Sequence, residues 1–270
     1  MDVRRRNNVV VTGRADGPVL LLAHGFGCDQ SMWRLLVPAL ADEFRLVLFD
    51  YTGCGASERG AWNAERYGSL QGYAADVTEI CEELGLEDVT FVGHSVSAMV
   101  GVLASRSERN RIGSLVLLVP NPRYLDAPEE GYRGGFSATD VEELLTSLEA
   151  NPGWPQWLAP VVIGDPDRPE LSSELEEVFC AADPEVVRVF ARATFLTDSR
   201  ADLPGVSVPT LVLRTAQDAI APLAVSDLVH REIPGSRLVT LEATGHCPQL
   251  SAPEATARAV REFAGAVKRR

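Results

Sequence analysis

Cysteine is sparse in this sequence, and where it occurs it is unpaired. Five residues, Cys28, Cys54, Cys81, Cys180 and Cys247, are scattered singly through 270 positions with no C-x-x-C pair. An odd, dispersed set argues against both a disulfide framework and a zinc site. Positive charge is also short: 25 Lys+Arg against 38 Asp+Glu leave a formal net charge of -13. Such a chain gains nothing from counterion release at phosphates and is repelled by anionic surfaces, so neither nucleic acid nor membrane is expected as a partner. Long apolar runs are missing, none approaching the roughly 20 residues of a membrane helix. The start, Met1-Asp2-Val3-Arg4-Arg5-Arg6-Asn7-Asn8, leads into only a few valines, too few for a signal peptide's apolar region. The default expectation is a cytoplasmic protein. Internal repeats and low-complexity segments are absent. What remains, 46% hydrophobic and 23% charged, is an ordinary globular composition with ample core. The length suits one large α/β domain or two small ones.

The most informative stretch is Thr90-Phe91-Val92-Gly93-His94-Ser95-Val96-Ser97-Ala98-Met99-Val100-Gly101. It reads as a buried strand, a tight turn and a helix, with Ser95 at the turn. This is the layout of a nucleophile elbow, G-x-S-x-G, in which a strained turn lifts a serine Oγ clear of the backbone. Gly93 leaves room for the crowded turn. The helix after Ser95 aims its N–H groups and positive dipole end at the place where an oxyanion would form. The second glycine of the pattern is Ser97 here, still small enough for close helix–strand packing. The plain alternative is a capped helix with an incidental serine, so the rest of the chain must supply a base, an acid and oxyanion donors.

Strands are expected at Val9–Thr12, Val19–Ala23, 45–49, through the elbow strand, and at Ser114–Val119. Helical spacing covers Gln30–Ala41 and Ser69–Leu84 between them. Apolar strands alternating with helices mean a parallel sheet covered on both faces. The alternation breaks between Arg123 and about Asp198, where only helices are expected: Ala138–Glu149, Pro155–Ile163, Ser172–Ala181 and Glu185–Leu196. Strands resume at Thr210–Leu213 and Arg237–Thr240, and Pro253–Val267 is a final helix followed by Lys268-Arg269-Arg270. One α/β domain with a helical insertion between two strands accounts for this pattern.

A serine needs a base beside it to react near neutral pH. Of four histidines, His24 and His94 sit next to glycine in strand-to-turn segments and read as structural. His230 falls in a helix with a surface role. His246, in Ala243-Thr244-Gly245-His246-Cys247-Pro248, follows the last strand at the carboxyl edge of the sheet, where open α/β folds place their catalytic groups. His246 is the expected base. Asp218 follows the strand beginning at Thr210, at the same edge and in the order Ser, Asp, His; it is the expected acid. Asp50 also ends a strand but precedes the serine and a glycine loop, which favours a turn role. Asn121, at the position some such hydrolases use for the acid, cannot carry the charge. Oxyanion donors are expected from the N–H groups of Val96 and of Phe26 in His24-Gly25-Phe26-Gly27. No metal or cofactor is called for.

These residues resemble the α/β-hydrolase superfamily and, more narrowly, the RsbQ-type hydrolases, bacterial relatives of the plant karrikin and strigolactone receptors. The resemblance spans nearly the whole chain. It runs through Ala23–Trp33, Leu48-Phe49-Asp50-Tyr51, Gly93–Ala98, Gly134-Gly135-Phe136, Asp167-Arg168-Pro169-Glu170 and Gly245–Ser251. It implies an α/β-hydrolase fold, a mostly parallel sheet flanked by helices with a four-helix cap inserted between two strands. The core would be residues 1–122 and 199–270, the cap 123–198. It further implies an apolar pocket over Ser95 that includes Phe26, Val96, Phe136, Leu144, Leu158, Phe195 and Ile220. Slow hydrolysis of a small hydrophobic ester or lactone, coupled to signalling through a phosphatase with a PAS sensor domain, is the implied activity.

Two functional readings compete. One is a serine hydrolase. The other is a ligand-sensing protein in which turnover is incidental and a partner reads the shape of the cap. Dehalogenases and epoxide hydrolases need an aspartate where Ser95 stands. A carbon–carbon bond hydrolase uses the same triad and stays open, as does perhydrolysis as a side activity.

Overall fold

A computed structural model describes residues 2–267. Met1, the Lys268-Arg269-Arg270 tail and the side chain of Cys180 lie outside the described residues. The strands are β1 Val10–Gly13, β2 Val19–Ala23, β3 Arg45–Leu48, β4 Val89–His94, β5 Ile112–Leu118, β6 Thr210–Gln217 and β7 Arg237–Thr244. They form one sheet in the order β1-β3-β2-β4-β5-β6-β7. Only β1 runs antiparallel to its neighbour; every other pairing is parallel.

Successive strand residues point to opposite faces. Leu21, Val47, Phe91, Leu115 and Val212 join one buried cluster; Leu20, Leu46, Val92, Val116 and Leu211 join another on the far face. Because both faces are covered, the strands read as unbroken apolar runs. The helices before the insertion are α1 Val3–Arg6, α2 Val37–Leu40, α3 Ala64–Tyr67, α4 Leu70–Glu83 and α5 Val96–Ser105. Helix α4 buries Tyr73, Val77 and Ile80 against the first face.

Between β5 and β6 stand α6 Ala138–Ala150, α7 Trp154–Ile163, α8 Pro169–Ala181 and α9 Pro184–Phe195. Helix α7 packs on α8, and α6 on α9. Their inner faces build a third apolar cluster with Met32, Cys247 and Leu250 of the sheet layer. Arg59 ties the start of α9 to the loop after β3 through Asp183 (2.8 Å) and Glu185 (2.9 Å). The last helices are α10 Leu223–Glu232, α11 Pro248–Ser251 and α12 Pro253–Val267. Among the described residues no helix is long and apolar enough to cross a membrane.

The alpha/beta sheet architecture expected from the alternation is observed, with local differences. The expected helix Gln30–Ala41 is broken into a 3-10 turn, Gln30–Trp33, and the short α2. Asp29 caps the turn through the Ser31 N–H, and Pro38 near the start of α2 has no N–H to extend a helix backwards. Strands β6 and β7 run four residues past their expected ends, toward Asp218 and His246. Helix α1 lacks a sequence periodicity long enough to announce it.

Candidate active site

Ser95 sits between β4 and α5 at φ +59° and ψ −123°, a left-handed backbone that only a strained turn imposes on a non-glycine residue. The crowding is severe: a Cβ on Gly93 would lie 2.4 Å from the Ser97 carbonyl oxygen. Ser97 does more than stay small. Its hydroxyl donates to the His24 carbonyl (2.5 Å) and accepts from the Tyr51 phenol (2.8 Å). The residue in place of the expected glycine thus ties α5 to the loop after β2.

Loops at the carboxyl edge of β6 and β7 bring the other two groups to Ser95. The Ser95 hydroxyl and His246 Nε2 are 2.7 Å apart, and His246 Nδ1 is 2.7 Å from Asp218 Oδ2. The other Asp218 oxygen accepts from the N–H groups of Ile220 (2.8 Å) and Ala221 (3.1 Å). Burial raises the Asp218 pKa, but the His246 ring beside it, with these hydrogen bonds, outweighs that and holds the carboxyl below its usual range. An ionised Asp218 fixes the Nδ1–H tautomer of His246, so Nε2 is the lone-pair nitrogen that accepts a hydrogen bond from the Ser95 hydroxyl. Gly245 makes this loop possible. Its φ is +81°, and a Cβ there would lie 1.7 Å from the Ile163 carbonyl oxygen at the end of α7. The His246 N–H donates to the Val162 carbonyl (2.8 Å), so α7 also holds the base loop.

The N–H groups of Phe26 and Val96 donate to no backbone carbonyl among the described residues. His24 is fully buried, donates from Nδ1 to the Gly25 carbonyl (2.9 Å) and accepts the Tyr51 N–H (3.2 Å), which shapes the loop carrying Phe26. Asp50 accepts from the N–H groups of Gln30 and Ala56 and from the Asn8 amide, the turn role expected of it. Asn121 donates to the Gly134 carbonyl (2.8 Å). His230 is half-buried and donates to Ser236 (2.8 Å), away from the site.

A cavity of about 590 Å³ opens over Ser95 and His246. Phe26, Phe136, Leu144, Leu158, Phe195 and Ile220 line it. The Val96 side chain does not; it is buried in the core cluster that also holds Phe91 and Leu117. Trp157 and Val161 of α7 reach the wall from half-exposed positions, while Trp154 packs on Phe179. Asp140, Glu143 and Ser147 of α6 add polar groups, and among the described residues no lysine or arginine borders the cavity. Tyr124 is a site residue that no motif announces. Its phenol is 3.1 Å from the Ser95 Oγ, and burial pushes its pKa well above the usual tyrosine value, so it stays protonated and can donate. The clue to it is positional: Tyr124 follows the carboxyl end of β5, the same sheet edge as the other groups. Among the described residues no cluster of three or more His, Cys, Asp or Glu could hold a metal ion.

Residues 20–259 match the Alpha/beta hydrolase family. The chain is 37% identical over 254 residues to the Karrikin insensitive 2 receptor CA of Petunia hybrida, covering 93% of each sequence. It is 34% identical over 248 residues to the Strigolactone esterase RMS3 of Pisum sativum, covering 91% of this chain and 92% of that one. The solved structure of olei00960, a hydrolase from Oleispira antarctica, matches with a TM-score of 0.93 at 40% identity, covering 97% of this chain and 96% of that one. The chain belongs to the alpha/beta hydrolase family. Its kinship with the plant karrikin and strigolactone proteins, expected from the motifs, is borne out.

Proposed function

We propose that this chain is a serine hydrolase that slowly cleaves a small, uncharged, hydrophobic ester or lactone. The observation that carries the reading is the unbroken relay Asp218–His246–Ser95, two contacts of 2.7 Å ending on a hydroxyl that faces a largely apolar cavity. Ser95 Oγ attacks the substrate carbonyl while His246 Nε2 takes its proton, a step worth about 10²–10⁴-fold in rate. The oxyanion forms against the N–H groups of Phe26 and Val96, each contributing about 10²–10³-fold. His246 passes its proton to the leaving oxygen, with Asp218 stabilising the imidazolium. Water, activated by the same histidine, then cleaves the acyl-enzyme. Among the described residues the cavity wall carries Asp140 and Glu143 but no lysine or arginine, which supports a substrate without negative charge, and its mostly apolar lining supports a hydrophobic one. Relatives named esterase support ester chemistry. Ser95→Ala is expected to lower kcat on p-nitrophenyl butyrate by at least about 10³-fold with an unchanged melting temperature. An unchanged rate would remove Ser95 from its role. The same triad would serve carbon–carbon bond hydrolysis; turnover of a ring-fission diketone in preference to the ester would favour that chemistry.

In this reading residues 123–198 act as a cap on a core of 1–122 and 199–270, in a cytoplasmic protein. The cap supplies most of the cavity wall, and one relative is named a receptor. Both facts support a second role, in which an occupied cavity changes the cap and a signalling phosphatase with a PAS domain reads that change. Capture of the phosphatase by the Ser95→Ala protein, in the presence but not the absence of a synthetic butenolide, is the expected result. Capture that ignores the butenolide would overturn the role.

A further inference from the structure

We propose that His94 is a positioning residue, one imidazole that sets the spacing between the loop carrying the base and the loop carrying the oxyanion donor. This rests on the triad reading above. His94 ends β4, immediately before Ser95, and is 2% exposed. Its Nε2 lies 2.7 Å from the main-chain oxygen of His246. A carbonyl can only accept, so Nε2 carries the proton and donates. Nδ1 is then a bare lone pair, and it is buried without a hydrogen-bond partner. That edge of the ring faces Gly25: a Cβ on Gly25 would lie 2.7 Å from Nδ1 and 3.1 Å from Cε1. One ring therefore grips the base loop through a hydrogen bond and abuts the oxyanion loop through direct contact, and its own backbone leads into the nucleophile.

The ring has a second qualification. Its centroid is 5.4 Å from that of His246. Burial, reinforced by the neighbouring His246, pushes the His94 pKa down to about 3. His94 therefore stays neutral when His246 takes the serine proton, and it keeps its donor on the His246 carbonyl throughout the reaction. An apolar side chain of similar size could fill the space, but it would leave that buried carbonyl without a donor and the base loop free to shift. A misplacement of about 1 Å at reacting atoms costs on the order of 10²-fold in rate.

The test measures kcat and KM for p-nitrophenyl butyrate, labelling of Ser95 by a fluorophosphonate, and the melting temperature. His94→Leu is expected to lower kcat and the labelling rate by about 30–100-fold, with KM within about twofold. His94→Gln, whose amide N–H can reach the same carbonyl, is expected to restore most of the loss. Gly25→Ala, which drives a methyl into the ring, is expected to lower kcat in the parent and to cost much less in the His94→Ala background; this coupling serves if His94→Leu does not fold. Wild-type kcat in His94→Leu, no rescue by His94→Gln, or full additivity with Gly25→Ala would overturn the proposal. An unchanged rate in Ser95→Ala would instead sink the triad reading, so the two failures are distinguishable.

Discussion

At the scale of single residues, the geometry of the candidate site depends on positions where a side chain is forbidden as much as on the polar groups it brings together. Gly245 carries φ +81° with the Ile163 carbonyl in the space a Cβ would occupy. Gly245→Ala must move either α7 or the His246 loop, because neither backbone can yield like a flexible side chain. The expected cost is about 2 kcal/mol or more in urea unfolding, with a larger loss of kcat than of KM; a variant with parental stability and rate would contradict this account. That Ser95, Asp218 and His246 would meet could be expected from the sequence because each sits beside a glycine or a turn at the end of a strand, and their order restricts the choice. Tyr124 was not legible. It lies in no motif, and only the folded chain after β5 brings its phenol to Ser95.

At the scale of elements, the strands announce themselves by apolar runs because both faces of the sheet are covered, with Leu20 on one side and Leu21 on the other. The Gln30–Ala41 segment misleads for a related reason. Met32 and Trp33 are buried at helical spacing from Leu36 and Leu40, yet a turn and a proline divide the segment. Periodicity reports which residues face the core, and a kinked path can satisfy the same burial. Leu158 of helix α7 is buried and lines the cavity. Leu158→Trp is expected to shift preference among p-nitrophenyl esters toward shorter acyl chains, with KM for the octanoate rising about tenfold or more and that for the acetate nearly unchanged. An unaltered chain-length profile would remove Leu158 from the acyl-binding wall.

At the scale of the whole molecule, two buried rings make the fold sensitive to acid earlier than its carboxylates do. Burial lowers the pKa of His24 and takes that of His94 to about 3. Unfolded histidine titrates near 6.5, so below about pH 6.5 the unfolded chain binds protons that the native chain refuses. Stability is therefore present above that pH and falls with it, by up to about 1.4 kcal/mol per pH unit for each ring. A lower window follows from carboxyls held below their usual range: Asp183 and Asp198 by hydrogen bonds from Arg59 and Arg200, and Asp218 by His246 against the pull of burial. Their contribution is present above about pH 4 and lost as pH falls through their lower folded values. Unfolding free energy is expected to decline between pH 6.5 and 4.5, with a shallower slope in His94→Gln. A flat profile over that interval would contradict the burial of both rings as neutral species.

The order of apolar runs and helical stretches, the elbow around Ser95 and the placement of Asp218 and His246 after strands could all be read in one dimension. These are local matters: a strand buried on both faces must be apolar, and a tight turn needs small residues. What depended on the folded chain is everything set by contact between distant segments. That includes the 2.7 Å approach of His246 to Ser95, the Tyr124 phenol, the bonding of Ser97 to the His24 loop and the wedging of His94 between two loops. Such distances arise from how helices and loops pack across the sheet, and a linear pattern carries no record of the gap between them.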